Sequence, residues 1–524
     1  MDFSRGLGSL LAVVTLVVTA ACSASAPLTP PTSSNTASSL PPTPERPGAA
    51  VTNGPPTPRV IESPTKSWRI SRRDAAFGEP WKSRRVPAVE GFASRASVAP
   101  GQPVSFYVST RSRRWRVTAY RMGWYGGDRG ARVWRSGWQK GRRQVGPRTS
   151  GATHTPFAPW HLSLKVPTTD WRPGAYLFRL DARGGSSYVP LTVRSPSTKG
   201  RLVLLTPDTT WQAYNDWGGR NLYWGPQGKG DAANRARAVS FDRPYAEGLG
   251  AAEFLTRMLP VVALAERLKL PLAYADDVDL HRDPHLLDGA AGLISMGHDE
   301  YYSVAMRRAL TAARHRGTNL AFLGANAVYR RIRLQSTAIG PNRLEVNYKD
   351  PAEDPVSRRH PRQTTANWPS PPAADPPGRL LGASYACFPG IGDLVVADAS
   401  SWLLIGTKLR RGDRLPGALG PEFDAVQPRH PVPRPLDVVL HSPIQCGKFR
   451  YADATYYSTK SGAGVFNTGT MGWVKALAGR NGTRTQTLVE HITKTLLRAF
   501  ARPHAGAAHP ARDTVGKPYP TLRR

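Results

Sequence analysis

Short apolar runs alternate with helical patterns in the second half of the chain, and this alternation most constrains the fold. Leu202 to Leu205 is a continuous apolar run, as expected for a strand buried on both faces. Residues 251–268 carry apolar side chains at helical spacing. The alternation returns with a strand over Gly292 to Met296 and a helix from about Ser303 to Arg316. Strands separated by helices predict an α/β domain with a mostly parallel sheet. Further expected elements are strands over Leu272 to Tyr274, Leu320 to Leu323, Leu394 to Ala397, Trp402 to Ile405, Val438 to Leu440 and Gly464 to Phe466, and a closing helix over Leu488 to Phe500.

The region before this domain has a different pattern. From about Val86 to Val193, short runs alternate apolar and polar residues and are separated by turn pairs such as Pro100-Gly101 and Pro173-Gly174. This pattern predicts an antiparallel β-sandwich. We therefore expect a multidomain chain with a sandwich over residues 66–197, the α/β domain over 198–502 and a disordered tail over 503–524.

The amino terminus predicts export. Arg5 precedes an apolar run from Leu10 to Val18, which is typical of a secretory signal over residues 1–22 and too short for a lasting membrane span. Residues 23–65 are dominated by Ser, Thr, Pro and Ala, and we expect a disordered linker there. The small residues before Cys22 resemble a bacterial lipoprotein cleavage site, which implies a lipid anchor. Thr19 departs from the usual leucine, so ordinary signal cleavage and secretion remain the alternative.

Cysteine usage is consistent with that compartment. Besides Cys22, the chain has only Cys387 and Cys446. An even pair in an oxidising compartment favours a disulfide, while neither residue lies in a nucleophile-elbow sequence.

The formal net charge of +34 at pH 7 suggests an anionic partner. Residues 66–148 concentrate this excess, with 20 Lys and Arg against 4 Asp and Glu. The basic residues are scattered arginines and no nucleic-acid-binding motif accompanies them, so we expect no nucleic-acid partner. An anionic envelope surface is the expected partner of an exported protein with this charge.

Polar side chains cluster where the predicted strands end. Tyr214 follows the first buried strand, His298 and Glu300 follow the strand over Gly292 to Met296, and Asn326 follows the next. Because parallel strands present their carboxyl ends at one edge of the sheet, these side chains should converge there. Simpler interpretations remain open, since His298 and Glu300 also suit the first turn of the following helix and Asn326 suits a turn. Asp299 is expected to cap that helix.

Five sequence motifs together resemble the C-terminal domain of the N,N-dimethylformamidase large (beta) subunit family. They are Tyr120-Arg-Met-Gly-Trp-Tyr-Gly-Gly127, Thr210-Trp-Gln-Ala-Tyr-Asn215, Gly297-His-Asp-Glu-Tyr301, Phe322-Leu-Gly-Ala-Asn-Ala-Val-Tyr329 and Val465-Phe-Asn-Thr-Gly-Thr-Met-Gly-Trp473. The resemblance spans roughly residues 85–500. It implies a core similar to class I glutamine-amidotransferase-like domains and hydrolysis of a small amide substrate.

The resemblance also implies a mononuclear iron, with Fe3+ favoured, held by two tyrosines and one glutamate. Glu300 matches the metal carboxylate, and Tyr214 is assigned as one tyrosine because it lies just past the first buried strand. Tyr176 is assigned as the other tyrosine, with Tyr223 in reserve. Phenolate and carboxylate oxygens are hard ligands, and a hard ion such as ferric iron prefers them.

The remaining implied residues are catalytic. His298 matches the histidine of the family site, Asn326 the asparagine, and Glu422 the second glutamate, although Pro421 beside Glu422 departs from the expected surroundings. His298 and Glu422 are suited to proton transfer with water and the leaving nitrogen. Asn326 is suited to orienting the substrate or donating to an oxyanion.

Two functions from different classes follow from these patterns. The first is an exported, metal-dependent hydrolase of a linear amide C–N bond. The second is a non-enzymatic cell-envelope lipoprotein whose basic sandwich binds an anionic surface polymer.

The lipid anchor is directly testable at Cys22. A Cys22→Ala variant should leave the membrane fraction, because the residue that would carry the lipid is gone. Fractionation followed by immunoblotting measures this. A variant that sediments with membranes as the parent chain does would refute lipidation.

Overall fold

The computed structural model describes residues 61–71, 87–479 and 482–516, and these lie in one compact unit. The fold is rich in strands, with 32% strand and 19% helix, arranged in several sheets. The predicted signal, Cys22 and nearly all of the predicted linker lie outside the described residues. Within the described residues, every helix is too short or too polar to cross a membrane.

Twelve strands form the N-terminal part. They are β1 (Ser63–Pro64), β2 (Val89–Ala93), β3 (Ser97–Val98), β4 (Val104–Thr110), β5 (Arg114–Met122), β6 (Gly130–Arg135), β7 (Gln139–Lys140), β8 (Arg148–Ser150), β9 (Thr155–Phe157), β10 (Leu164–Val166), β11 (Gly174–Ala182) and β12 (Gly185–Val193). One sheet has the order β1-β6-β5-β11-β12-β3, with β7 beside β5, and a second has the order β10-β4-β2. Phe106 of β4 and Phe178 of β11 lie 4.7 Å apart in a hydrophobic core to which both sheets contribute.

The rest of the chain is built around a central seven-stranded sheet. Its strands and the flanking elements are β13 (Leu202–Thr206), α1 (Asp208–Tyr214), β14 (Ala238–Ser240), α2 (Leu259–Arg267), β15 (Leu272–Asp276), α3 (Asp277–Arg282), β16 (Gly292–Met296), β17 (Tyr301–Ser303), α4 (Val304–His315), β18 (Asn319–Leu323), β19 (Arg330–Gln335), β20 (Leu344–Val346), α5 (Gly378–Leu381), β21 (Ser384–Cys387), β22 (Gly392–Val395), β23 (Arg414–Leu419), β24 (Phe423–Ala425), β25 (Leu436–Cys446), β26 (Phe449–Ser458), β27 (Gly464–Asn467), α6 (Gly472–Leu477), α7 (Arg484–Phe500) and α8 (Ala505–Ala508). The order is β15-β13-β16-β18-β27-β26-β25. The first five strands in this order, β15, β13, β16, β18 and β27, are parallel.

The central strands are buried on both faces, as the apolar runs predict. In β13, Leu202 and Leu204 belong to one hydrophobic core, whereas Val203 and Leu205 belong to another. Successive side chains of a strand point to opposite faces, so the sheet separates two cores. β16 begins and ends at the residues expected from the sequence.

The N-terminal sheets and the central sheet share one of these cores. Tyr120 and Leu177 from the first part pack in the same cluster as Leu204 and Val262 from the second. The buried Arg121 also forms a 2.7 Å ion pair with Glu266 of α2. Residues on the two sides of the expected boundary near residue 198 are therefore closely packed.

Some local predictions differ from the structure. Trp402–Leu404 is a 3-10 helix rather than a strand, and the Trp402 ring stacks on His509 with centroids 4.2 Å apart. The tail prediction is wrong for residues 503–516, because α8 is formed and the Tyr456 hydroxyl donates to the His509 carbonyl at 2.6 Å. Residues 251–268 form a π-helical turn, Phe254–Met258, before α2.

The expected disulfide is confirmed. Cys387 and Cys446 are bonded, with their Cα atoms 6.1 Å apart and a sequence separation of 59 residues. The bond ties the end of β21 to the end of β25.

Glu90 of β2 is a buried carboxylate between the two parts of the fold. It is 8% exposed, and its Oε2 accepts a 2.8 Å hydrogen bond from the Trp217 indole. Burial raises the pKa of Glu90 from its ordinary 4.5 to about 7, although the Trp217 hydrogen bond opposes the shift. The folded state thus holds this proton more tightly than the unfolded state does.

Glu90→Gln should stabilise the protein at high pH. Because the folded pKa is raised, stability from this group is full below about pH 4.5 and is lost as pH rises through about 7. At pH 8 the variant should exceed the parent chain by up to about 3 kcal/mol in free energy of unfolding, and at pH 4 the two should agree. Denaturant unfolding across this range measures the difference. Asp170→Asn, which removes a carboxylate at an exposed position, is the control.

Candidate functional site

The carboxyl ends of three adjacent parallel strands carry the candidate site. α1, which ends at Tyr214, follows β13; residues 297–300 follow β16; and residues 324–329 follow β18. The two turns are joined directly, since the Val328 amide donates to the Asp299 carbonyl and the Tyr329 amide to the Glu300 carbonyl, both at 2.9 Å. The expected convergence at this edge is thus observed for Tyr214, His298, Glu300 and Asn326.

Glu300 lies at the centre of a group of phenol oxygens. The Tyr214 hydroxyl donates to Glu300 Oε2 at 2.6 Å, and the Tyr223 hydroxyl contacts the same oxygen at 2.9 Å. The two phenol oxygens are themselves 2.6 Å apart. The Tyr301 hydroxyl donates to the Tyr223 oxygen at 3.0 Å. Three oxygens, from Tyr214, Tyr223 and Glu300, therefore form a compact triangle.

Arg330 and Lys349 place positive charge beside this triangle. Arg330 Nε donates to Glu300 Oε1 at 3.1 Å, and Lys349 Nζ lies 3.0 Å from the centre of the Tyr223 ring. Burial alone would raise the pKa of Glu300, but the His298 contact and the charge of Arg330 outweigh it and lower that pKa to about 2. Glu300 is therefore ionised although it is only 1% exposed.

Burial, and then the charge of Glu300, raises the pKa of the Tyr214 and Tyr223 phenols well above the ordinary value. Each phenol thus has one proton to share. The triangle has three short edges and only two phenol protons, so one oxygen–oxygen contact lacks a hydrogen atom.

His298 lies between two carboxylates. Its Nε2 is 3.5 Å from Glu300 Oε2 and 3.4 Å from Glu422 Oε2, and it has no well-aligned hydrogen bond within the described structure. Burial would lower the pKa of His298, but the charge of Glu422 and the contact with Glu300 raise it to about 9. The imidazole is therefore protonated at neutral pH.

Asn326 and Glu422 complete the group. Asn326 Nδ2 donates to Glu422 Oε2 at 2.9 Å, and the backbone N–H of Asn326 donates to Asp424 Oδ1 at 2.8 Å. Asn326 Oδ1 is buried and has no hydrogen-bond partner among the described residues. Burial raises the pKa of Glu422, against the opposing charge of His298. Asn326 also has a φ of +58°, an uncommon value that its turn imposes.

Two glycines allow these turns to approach each other. A Cβ on Gly324 would lie 1.8 Å from the Gly297 carbonyl oxygen, so no larger residue fits there without movement of the backbone. Gly297 itself has a φ of +75°, in the left-handed region that favours glycine. The close packing of the two turns positions His298 and Asn326 near Glu422.

A cavity of about 210 Å³ opens beside these side chains. Tyr214, His298 and Glu422 line it, together with Trp211 and Phe388. The cavity is smaller than the sites that proteins use for drug-sized ligands. Its size therefore suits a small substrate.

Two expectations from the sequence are corrected by the geometry. Tyr176 does not reach the group: it is fully buried in the N-terminal core, stacks on Trp171 and donates to the Arg172 carbonyl at 2.7 Å. Tyr223, the reserve candidate, is the second tyrosine beside Glu300. Asp299 does not cap α4, because Ser303 does so; Asp299 instead accepts hydrogen bonds from Ser295 and Tyr302.

The sequence interpretation missed several neighbours of Glu300. Tyr301 is the last residue of one recognised motif and Arg330 directly follows another, but the sequence alone gives neither a role, and Lys349 has no local signal. Thr210 Oγ1 accepts a 2.8 Å hydrogen bond from the Glu300 backbone amide. Thr210 belongs to the same motif as Tyr214, but the sequence suggests a role only for Tyr214. The available signal was membership of a recognised motif for Thr210 and Tyr301, and adjacency to one for Arg330.

The donor set fits a hard metal ion. Oxygens 2.6–2.9 Å apart are spaced like ligands on one face of an octahedron around an ion about 2 Å from each. A cation bound to the three oxygens would also offset the repulsion between the two oxygens that have no hydrogen atom between them. The described residues contain no metal-binding group of three or more His, Cys, Asp and Glu side chains, so this candidate centre depends on tyrosine oxygens.

Comparison with known proteins supports the sequence resemblance. Residues 116–486 match the family described as N,N-dimethylformamidase beta subunit-like, C-terminal. The matched range is well over half of the chain and includes Tyr214, Tyr223, Glu300 and Glu422. No curated protein matches the chain.

Gly324→Ala should destabilise the protein, because the new methyl group would collide with the Gly297 carbonyl. Overpacking of this kind costs about 1–3 kcal/mol in free energy of unfolding. Denaturant unfolding measures the loss. Gly137→Ala is the matched control, since a Cβ there meets no atom within 4 Å. Equal stability of the two variants would contradict the close approach of the two turns.

Proposed function

The chain belongs to the N,N-dimethylformamidase beta subunit-like, C-terminal family, and on this premise we propose that it is a metal-dependent hydrolase of a small linear amide. The observation that carries the proposal is the oxygen triangle of Tyr214, Tyr223 and Glu300. Its spacing and hard donor atoms suit one ion such as ferric iron. The adjoining cavity suits a substrate of few atoms.

Tyr214, Tyr223 and Glu300 would hold the iron, and Tyr301 and Arg330 would orient the ligands. When bound, the ion supplies Lewis-acid polarisation of the amide carbonyl. Arg330 contacts Glu300 Oε1, which leaves Oε2 directed toward the two phenols. A ligand fixed by a neighbouring side chain in this way binds more tightly and in one orientation.

The protein's own side chains account for the proton transfers. Glu422 accepts a proton from the attacking water as the water oxygen bonds to the amide carbon. As the C–N bond breaks, His298 Nε2 donates a proton to the leaving nitrogen, so that an acid and an amine are formed. The two groups lie 3.4 Å apart, which allows the proton to return from Glu422 to His298.

Asn326 orients the substrate. Its Nδ2 donates one proton to Glu422, which fixes the carboxylate, and retains a second proton for the amide oxygen. Its unpartnered Oδ1 is available to accept from an amide N–H. An amide substrate offers both a carbonyl and, in its unsubstituted forms, an N–H.

We also propose that the two parts of the fold are a β-sandwich and a class I glutamine-amidotransferase-like domain. The two N-terminal sheets, which share a core, support the first assignment. The five parallel strands of the central sheet, with the candidate site at their carboxyl ends, support the second. The disulfide fits a protein exported to an oxidising compartment, either lipid-anchored or secreted.

One observation favours the second candidate function, binding of an anionic envelope polymer. Trp138 is 50% exposed on the N-terminal part, and the guanidinium groups of Arg114 and Arg116 lie over its ring at 5.7 and 4.7 Å. An aromatic surface bordered by arginines suits an anionic polymer. Tight, salt-sensitive polymer binding by a protein without iron would favour this function.

Iron content tests the proposed ligands. Glu300→Gln, Tyr214→Phe and Tyr223→Phe should each lose most of the bound iron, because each removes one of three oxygen ligands. The phenolate-to-iron absorption that we expect of the parent protein should disappear with it. Elemental analysis and visible spectroscopy of protein expressed with ample iron measure both effects. Tyr176→Phe is the matched control and should keep its iron and colour.

His298→Ala separates metal binding from turnover. The variant should retain iron and lose at least about 10²-fold in amide hydrolysis, the contribution typical of proton transfer by a positioned side chain. Release of amine from small formamides measures the activity. A parent protein that is colourless and free of metal after expression with iron would refute the hydrolase in this form.

A further inference from the structure

A second cavity, of about 730 Å³, lies between α4, α5 and the turn after β26, away from the candidate iron site. We define the basic cleft as this cavity. Five cationic side chains and one carboxylate line it, together with a wall of three prolines. These are Arg307, Arg314, Arg379, Arg434, Lys460, Asp375, Pro431, Pro433 and Pro435. None of the residues assigned to amide hydrolysis lies in the cleft.

The cationic charge of the cleft is incompletely neutralised. Asp375 is shared between Arg307, at 3.1 Å, and Arg379, at 3.8 Å. Arg434 pairs with Asp513 at 2.8 Å. The Arg314 guanidinium donates to the Arg379 carbonyl and the Tyr457 hydroxyl, both at 2.8 Å, and these acceptors carry no formal charge.

The environment of Arg307 indicates that this excess charge belongs to a preformed site and not only to exposed, mobile side chains. Its side chain is 4% exposed, and its Nε and Nη1 have no hydrogen-bond partner within the described structure. The guanidinium lies over the Trp368 ring at 4.8 Å, and Arg331 lies over the same ring at 4.1 Å. Burial, with repulsion from Arg331 and Arg314, lowers the pKa of Arg307 to about 10 despite the attraction of Asp375. A bound anion would relieve this repulsion.

Arg307 and Arg314 are the basic residues of the cleft that the fold fixes in position. Arg307, Thr311 and Arg314 lie at helical spacing on one side of α4, and Tyr457 is held by its hydroxyl donating to the Leu380 carbonyl at 2.6 Å. Arginine forks suit oxyanions that accept several hydrogen bonds at once. The side chains of Val432 and the three prolines add apolar surface, which suits an organic group attached to the anion.

We propose that the basic cleft binds a phosphate-bearing ligand, with Arg314, Arg379 and Lys460 contacting the phosphate and Arg307 supplying fixed charge beneath them. The cavity is larger than a single phosphate requires, so the ligand carries either a second phosphate or an organic group. A soluble phosphate compound and a phospholipid headgroup share this chemistry.

Inorganic pyrophosphate is the first probe, with the full chain at low ionic strength. It should bind in titration calorimetry and raise the unfolding temperature. Arg379→Ala and Lys460→Ala should each weaken binding about tenfold, the value of one charge-assisted hydrogen bond. Arg379 is 60% exposed and its side chain pairs only weakly with Asp375, so the fold should tolerate its loss.

Two further variants separate a site from general attraction to a basic protein. Arg359→Ala removes the same charge at an exposed position outside the cleft and should leave pyrophosphate binding unchanged. Arg379→Lys keeps the charge but loses the planar fork, and it should also weaken binding. Equal effects of Arg379→Ala and Arg359→Ala, or no effect of either, would overturn the proposal.

Vesicles distinguish the two sources of phosphate. Binding to vesicles of an anionic phospholipid but not to those of a neutral one, with competition by pyrophosphate and loss in Arg379→Ala, would identify a headgroup. Binding of pyrophosphate without binding of these vesicles would identify a soluble ligand. Failure of the full chain to bind either probe would overturn the proposal, and neither result depends on iron or amide hydrolysis.

Discussion

A buried, ionised carboxylate is the constraint around which the carboxyl edge of the central sheet is arranged. Glu300 is almost completely removed from solvent, and an isolated charge in that position would be strongly destabilising. The fold offsets this cost with Arg330 and with two phenols, while the Thr210 hydroxyl accepts from the Glu300 backbone amide and so helps to position that residue. These groups come from α1, from the loop after it and from the start of β19. A single side chain thus connects segments that are distant in sequence.

The same edge depends on the absence of side chains at two positions. The turn after β18 approaches the turn after β16 so closely that Gly324 faces the Gly297 carbonyl. This approach brings Asn326 to Glu422 and aligns the backbone hydrogen bonds from Val328 and Tyr329 to the neighbouring turn. Asn326 adopts an uncommon backbone conformation in this turn, with a φ of +58°. A rigid pair of turns suits a site that must hold several polar groups without solvent.

The candidate amide site and the basic cleft differ in the charged side chains that they contain. The chain carries a formal charge of +34, yet the candidate amide site is built around Glu300 and Glu422. Two groups of arginines lie apart from this site, one in the basic cleft and one around Trp138. Long-range attraction of anions by the whole protein and binding of a small amide are therefore compatible, since the two would use separate surfaces.

The sequence by itself determined the parallel central strands, the bounds of β16, the pairing of two cysteines and the convergence of Tyr214, His298, Glu300 and Asn326. Apolar periodicity reports burial, and parallel strands bring their carboxyl ends together, so these features follow from local pattern. Only the tertiary structure decided that Tyr223 rather than Tyr176 reaches Glu300, and that Ser303 rather than Asp299 caps α4. Tyr176 and Tyr223 have no local difference that separates a packed ring from a ligand. The path of the loop between α1 and β14 brings Tyr223 to Glu300, and such long-range contacts have no counterpart in the periodicity of the chain.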